Sequence, residues 1–272
     1  MKKLFAFPLL LAAAAVLSAC AAVPDATLAR CREGVAAALA RPVGHDVLEV
    51  GTLDGEAMQT VVSSEGWFIN DKAGIRSATL DYQGDTVTQT KVGQGGVYYV
   101  KRNSGDWQPS PETRYVGVYG ANFKEDFFTA KNFSAAKEGG GTLTLTHSKT
   151  YLQSLQDEAL AQLNDSMAYL QEKFPEEDLA ANGQTRKRQE FLIKNSPYRS
   201  GSFTLRFDAE GRIVEMVQTI TQDIAQTAYV GEEEVVTGTQ ALTTQVVIRY
   251  ETPALSEAEA VIDPLWQEAS SG

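Results

Sequence analysis

Two histidines, two cysteines and a few charge runs are what this chain offers to chemistry. His147 ends the alternating run Thr142–His147 on the side of Leu143 and Leu145, so it reads as a structural histidine at an apolar face. His45 reads as part of a Pro/Gly loop. Neither has Cys, Asp or Glu neighbours at metal-ligand spacing, and no metal site is expected. The Gly-x-Ser-x-Gly elbow, the P-loop and His-Glu-x-x-His are absent from the sequence. Gly93-Gln94-Gly95-Gly96 leads into strand-forming residues and not into a helix, which removes the N-terminus that phosphate binding uses. Glu176-Glu177-Asp178 and Glu232-Glu233-Glu234 read as solvated loops or helix starts. Arg186-Lys187-Arg188 opposes the overall acidity. It reads as a solvated helix face paired with nearby acids, or as a contact for a lipid headgroup or partner. Cys31 falls on an apolar helical stripe and reads as a buried thiol. No enzyme activity and no cofactor are expected from this set.

The elements that would position these residues are mostly strands. From Leu48 to Tyr119, Thr, Val and aromatic residues recur between Gly, Asn and Asp punctuation. Strands are expected near Met58–Ser64, Trp67–Asn70, Ile75–Tyr82, Thr86–Val92 and Val97–Lys101. The tight turns between them predict an antiparallel meander, because a parallel sheet would need crossover helices. A short helix is expected at Lys124–Phe133. Beyond Gly139-Gly140-Gly141, Thr142–His147 alternates as a half-buried strand. Phe203, Leu205 and Phe207 share one face of Ser202–Phe207, and Asp208-Ala209-Glu210-Gly211 turns the chain into Arg212–Ile224. Leu242, Val246, Ile248 and Tyr250 share a face of Ala241–Glu251.

Three helical segments accompany them. Asp25–Ala40 carries the stripe Leu28, Cys31, Val35, Leu39. The clearest helix, from about Thr150 to Phe174, carries Leu152, Leu155, Ala159, Leu163, Met167, Leu170 and Phe174 and ends at Pro175. A weaker helix covers Glu176–Lys194. After Pro253 a short tail has a possible capping box at Ser256 and Glu259, with Pro264 limiting any helix.

The first residues set an address. Lys2 and Lys3 precede an apolar run from Leu4 to Val16 and then Leu17-Ser18-Ala19-Cys20. This resembles a bacterial lipoprotein signal peptide with its lipobox; an ordinary secretory leader with a chance cysteine is the alternative. The resemblance implies residues 1–19 as a cleaved signal, acylation at Cys20, and residues 20–24 as a short tether. Only Cys31 would then remain, excluding an intrachain disulfide. Loss of Lys2 and Lys3 would take the net charge from -11 to about -13, a balance that excludes nucleic acid as a partner. The chain would be lipid-anchored in the cell envelope, on the outer face of a plasma membrane or in an outer membrane. No protein partner can be named.

Three patterns in the body carry a second resemblance: Gly96-Val97-Tyr98-Tyr99-Val100 followed by Gly105-Asp106-Trp107, the hairpin Phe203–Ile213, and the closing Arg249-Tyr250-Glu251. Together they are similar to the lipoprotein-carrier fold, the LolA/LolB-like superfamily, and to LppX/LprG-type lipid-binding lipoproteins. The resemblance implies an α+β fold with a single curved antiparallel sheet, an open half barrel whose concave face is covered by helices. One domain would span 25–252, with a helical insertion at about 149–195, and 253–272 would be a C-terminal tail. The Leu152–Phe174 helix would roof an apolar slot for a lipid or acyl chain. Its lining would be Leu143 and Leu145, then Leu155, Leu163 and Met167 from the helix. Phe203, Leu205 and Phe207 would join them, with Leu242, Val246, Ile248 and Tyr250. The alternative is a structural or protein-interaction lipoprotein whose core is filled by the same residues.

Overall fold

The computed structural model of the protein describes residues 23–39, 43–69, 72–82, 85–110, 125–173, 179–231, 233–251 and 255–271. Residues 1–22, with the expected acylation site Cys20, lie outside them. The protein is α+β. Among the described residues, eleven antiparallel strands form one sheet, in the order β6-β5-β4-β3-β2-β1-β11-β10-β9-β8-β7. The first six are β1 (Val43–Leu53), β2 (Glu56–Ile69), β3 (Lys72–Tyr82), β4 (Asp85–Gln94), β5 (Val97–Arg102) and β6 (Gln108–Pro109). The others are β7 (Phe133–Gly139), β8 (Thr142–His147), β9 (Tyr198–Phe207), β10 (Ile213–Val230) and β11 (Glu233–Glu251). Two meanders run outward from the central β1–β11 pair, one built by each half of the chain. β6 and β7 are the two edges, so the sheet is an open one.

Local sequence explains the reversals. Gly95-Gly96 (φ 59° and 79°) and Gly140-Gly141 (φ 61° and 76°) form two-residue hairpins in the left-handed region that such turns demand. Register breaks at Glu49/Val50, Glu65/Gly66 and Ile75/Ala78 mark bulges, which bend strands and raise their twist. Across the C-terminal half the register aligns Leu143, Leu205, Met216 and Ile248 in one row and Leu145, Phe203, Gln218 and Val246 in another. One face of four strands is therefore apolar.

Among the described residues the helices are α1 (Asp25–Leu39), α2 (Lys149–Lys173), α3 (Leu179–Lys194) and α4 (Leu255–Ser271). The N-terminal helix covers the C-terminal half of the sheet, packing on β10 and on a single 3-10 turn at Glu125–Phe127. The C-terminal helix covers the N-terminal half, crossing β2, β3 and β4. The first and last described helices are thus exchanged across the sheet.

Several expectations are corrected. Lys124–Phe133 is not a helix among its described residues: one 3-10 turn is followed by turns and by β7, whose Lys137 and Glu138 hide its strand character. His45 lies in β1 opposite Tyr250 and Gly66, not in a loop. The tail at 253–272 contains a 17-residue helix that runs through Pro264. The roof role of α2 also moves: α2 packs on α3 and β9, and through Tyr151 it touches His147 and Gln218. Its 25 residues make a rod of about 37 Å, and only the first turn meets the core. Gln156 then donates to the Ile193 and Lys194 carbonyls at 2.6 and 3.2 Å, tying α2 to the end of α3.

β10 and β11 outrun their neighbours. Pairing with β9 ends at Gln222 and pairing with β1 at Leu242, while β10 and β11 pair with each other out to Val230 and Glu233. The overhang is a two-stranded arm of about 27 Å, with Tyr229 62% and Val230 67% exposed near its tip.

Candidate functional site

The C-terminal half holds the larger described core. Leu143, Leu145, Phe203, Leu205, Val246 and Ile248 are all buried there with Leu28, Cys31 and Val35 of α1, while Phe207 and Tyr250 pack at its margin. Four phenylalanines interlock over β8 and β9. The Phe127 centroid lies 5.4 Å from Phe128, 5.3 Å from Phe133 and 5.2 Å from Phe203, edge to face in each case. These are ring contact distances. Gly34 brings α1 close: a Cβ there would meet Phe207 at 3.0 Å and Ile213 at 3.1 Å.

His147 ends this cluster. Ser148 caps α2, receiving the Tyr151 amide on Oγ at 3.0 Å, and so sets the Tyr151 ring against His147 at 4.4 Å. Phe133 stacks on the other side at 5.1 Å. Nε2 faces the Gln218 amide at 3.4 Å, while Nδ1 is buried without a partner in hydrogen-bond geometry. Burial pulls the imidazole pKa down to about 4, against a weaker upward pull from the Asn132 backbone. The ring is a neutral core group at ordinary pH, as its place in the sequence suggested. Cys31 is equally inert: burial pushes its thiol up to about 12, despite Arg30 and Arg32.

The N-terminal half is built differently. The stripe Ala258, Ile262 and Ala269 of α4 is buried with Val92, and Leu265, Trp266, Tyr99 and Trp107 pack half-buried around it. Trp266 meets Tyr99 edge to face at 5.7 Å. One turn further, Lys101 Nζ donates to Glu268 Oε1 at 2.8 Å and stands 5.8 Å from the Trp107 ring centroid. The Trp107 indole Nε1 is buried and lacks a partner in hydrogen-bond geometry. Lys101, and then the neighbouring indole N–H, hold the Glu268 carboxyl below its usual range.

The remaining candidates are dispersed. Leu155, Leu163 and Met167 are half-buried on α2 outside the two clusters, and Leu242 lies two rows along β11 from Val246. Arg186 donates to Asn164 at 2.7 Å and Arg188 pairs with Glu234 at 3.3 Å, so two of the three basic residues fasten α3 to α2 and to the arm. Lys187 is exposed. Sequence reasoning missed Phe127 and Phe128, which sit in a non-periodic turn, and Lys101, Trp107 and Glu268, which come from distant segments. The α4 stripe was visible at helical spacing, but Pro264 obscured it. Among the described residues, no three His, Cys, Asp or Glu side chains gather where they could hold a metal ion. No helix there is long and apolar enough to cross a membrane.

The chain matches no protein-family profile and no curated protein. Among solved structures it is similar to a DUF1329 family protein from Desulfovibrio piger ATCC 29098, at 10% identity over 86% of this chain and 95% of that one, with a TM-score of 0.28. A bifunctional dehydratase-cyclase domain in ambruticin biosynthesis aligns at 9% identity over 90% of this chain and 85% of that one, with a TM-score of 0.16. Scores this low assign neither family nor activity.

Proposed function

We propose that this protein is a cell-envelope lipoprotein, acylated at Cys20, that binds a hydrophobic ligand on the apolar face of its open sheet without chemistry. The observation that carries this reading is the apolar face that α4 lays on the N-terminal half of the sheet: Ala258, Ile262 and Ala269 are buried with Val92, and Leu265, Trp266, Tyr99 and Trp107 pack half-buried around them. A cover of that kind is replaceable by a ligand of similar section. The leader supports the address, and the short tether keeps the body near the bilayer.

A second reading has its own observation. The filled aromatic core and the exposed Tyr229 and Val230 on the arm fit a structural or protein-interaction lipoprotein with no ligand. Native mass spectrometry and solvent extraction of the full chain carrying Cys20→Ser separate the two. Stoichiometric copurified lipid is the expected result. Lipid-free protein that also takes up no added fatty acid contradicts the ligand reading.

A further inference from the structure

The contacts of α4 with β4 and β5 have the layout of an amphiphile. An apolar stretch, Ile262 and Trp266, lies against Val92 and Tyr99. A carboxylate at one end, that of Glu268, lies on the ammonium of Lys101 beside the Trp107 indole. The sheet positions the two receptors in register. Val92 pairs with Tyr99, and Thr90 with Lys101 two residues along the same face. We propose that α4 is an internal mimic of a single-chain anionic amphiphile. On its displacement a fatty-acid carboxylate takes the Lys101 and Trp107 contacts and the acyl chain takes the Val92–Tyr99 surface. This rests on the hydrophobic-ligand reading above and adds to it a place, a headgroup charge and a competitor.

Charge and packing select that occupant. Lys101 is a cation in a strongly acidic protein, and its side chain is 29% exposed while paired to a carboxylate that is 54% exposed. Such a pair exchanges one carboxylate for another at little cost. The Trp107 indole N–H beside the Glu268 carboxylate gives the incoming headgroup a second donor next to Lys101. A neutral lipid could use the apolar surface but would leave Lys101 unpaired.

The probe is a dansyl-labelled undecanoic acid, with its methyl ester as the uncharged counterpart, titrated into the full chain carrying Cys20→Ser. Glu268→Gln removes the competing charge and is expected to tighten the acid about tenfold, with the ester unchanged. Lys101→Met is expected to weaken the acid about tenfold, down to the ester's level. Both changes are on partly exposed side chains, so the fold is retained. Ile262→Asp, on the docking face of α4 and outside the receiving surface, is then expected to release α4 and tighten the acid about tenfold. Equal acid binding with and without Ile262→Asp overturns this inference and leaves the ligand reading intact. Acid and ester binding alike, and indifferent to Lys101→Met, overturns the headgroup assignment. Absence of binding in every form overturns the ligand reading itself.

Discussion

The two halves of the sheet are covered by helices of similar length, yet the described contacts beneath them differ. α1 presents Leu28, Cys31, Gly34 and Val35 to a bed of interlocked phenylalanines, and every one of these positions is buried. α4 presents Ala258, Ile262 and Ala269, leaves Leu265 and Trp266 half-buried, and is held at one end by an ion pair open to water. The first cover is part of a packed interior, where removal of one ring opens a cavity. The second meets the described side chains of the sheet through Val92, Tyr99 and Trp107, and is expected to open locally. A protein that must keep its shape while exchanging an apolar partner gains from such a division.

The comparison breaks most sharply on a single ring. Phe128→Ala should cost about 3–5 kcal/mol in urea denaturation, because Phe128 is fully buried among Phe127, Phe133 and Phe203. A loss below 1 kcal/mol would mean that this half is loosely packed.

Next in size is a pH effect confined to the same half. The folded-state pKa of His147 is lowered from 6.5 to about 4. Below 6.5 the unfolded chain takes up a proton that the folded chain refuses. Stability should therefore fall as pH drops from about 6.5 to about 4, by a total of about 3 kcal/mol, and level off below that. Urea midpoints for the protein and for His147→Phe, taken across that range, should diverge by this amount. Parallel curves would show that the ring is not a buried neutral group.

Gly201→Ala should cost about 1–3 kcal/mol, since the added Cβ would lie 2.7 Å from His147 Cδ2 and 3.2 Å from the Thr219 carbonyl. Thermal melts of Gly201→Ala, alone and with His147→Ala, test the contact: the double variant should recover part of the loss.

The smallest effect on the main transition belongs to the other half. Ile262→Asp should undock α4 yet move that transition by about 1 kcal/mol or less, while binding of an apolar dye rises. Unfolding of the whole protein by this change would make the two halves one cooperative unit.

Much of the packed half was legible in the sequence. Leu143 and Leu145, Phe203 and Leu205, and Val246 and Ile248 announce their face by strict alternation, and Leu28, Cys31 and Val35 by helical spacing. The covering helix was not legible, because the α2 stripe is as regular as that of α1 and nothing local says which sheet half either will meet. The exchange of ends is set by the β1–β11 pairing, a contact between distant segments. Phe127 and Phe128 have no periodicity to betray them. The Lys101–Glu268 pair joins residues 167 apart in sequence, so only the fold brings those charges together.

Native-state hydrogen exchange, read helix by helix, tests the division directly. The amides of α4 should exchange at least about 100-fold faster than those of α1, through an opening insensitive to low denaturant, while α1 and β8–β10 exchange only by global unfolding. Equal protection of α1 and α4, with a common denaturant dependence, would contradict the account.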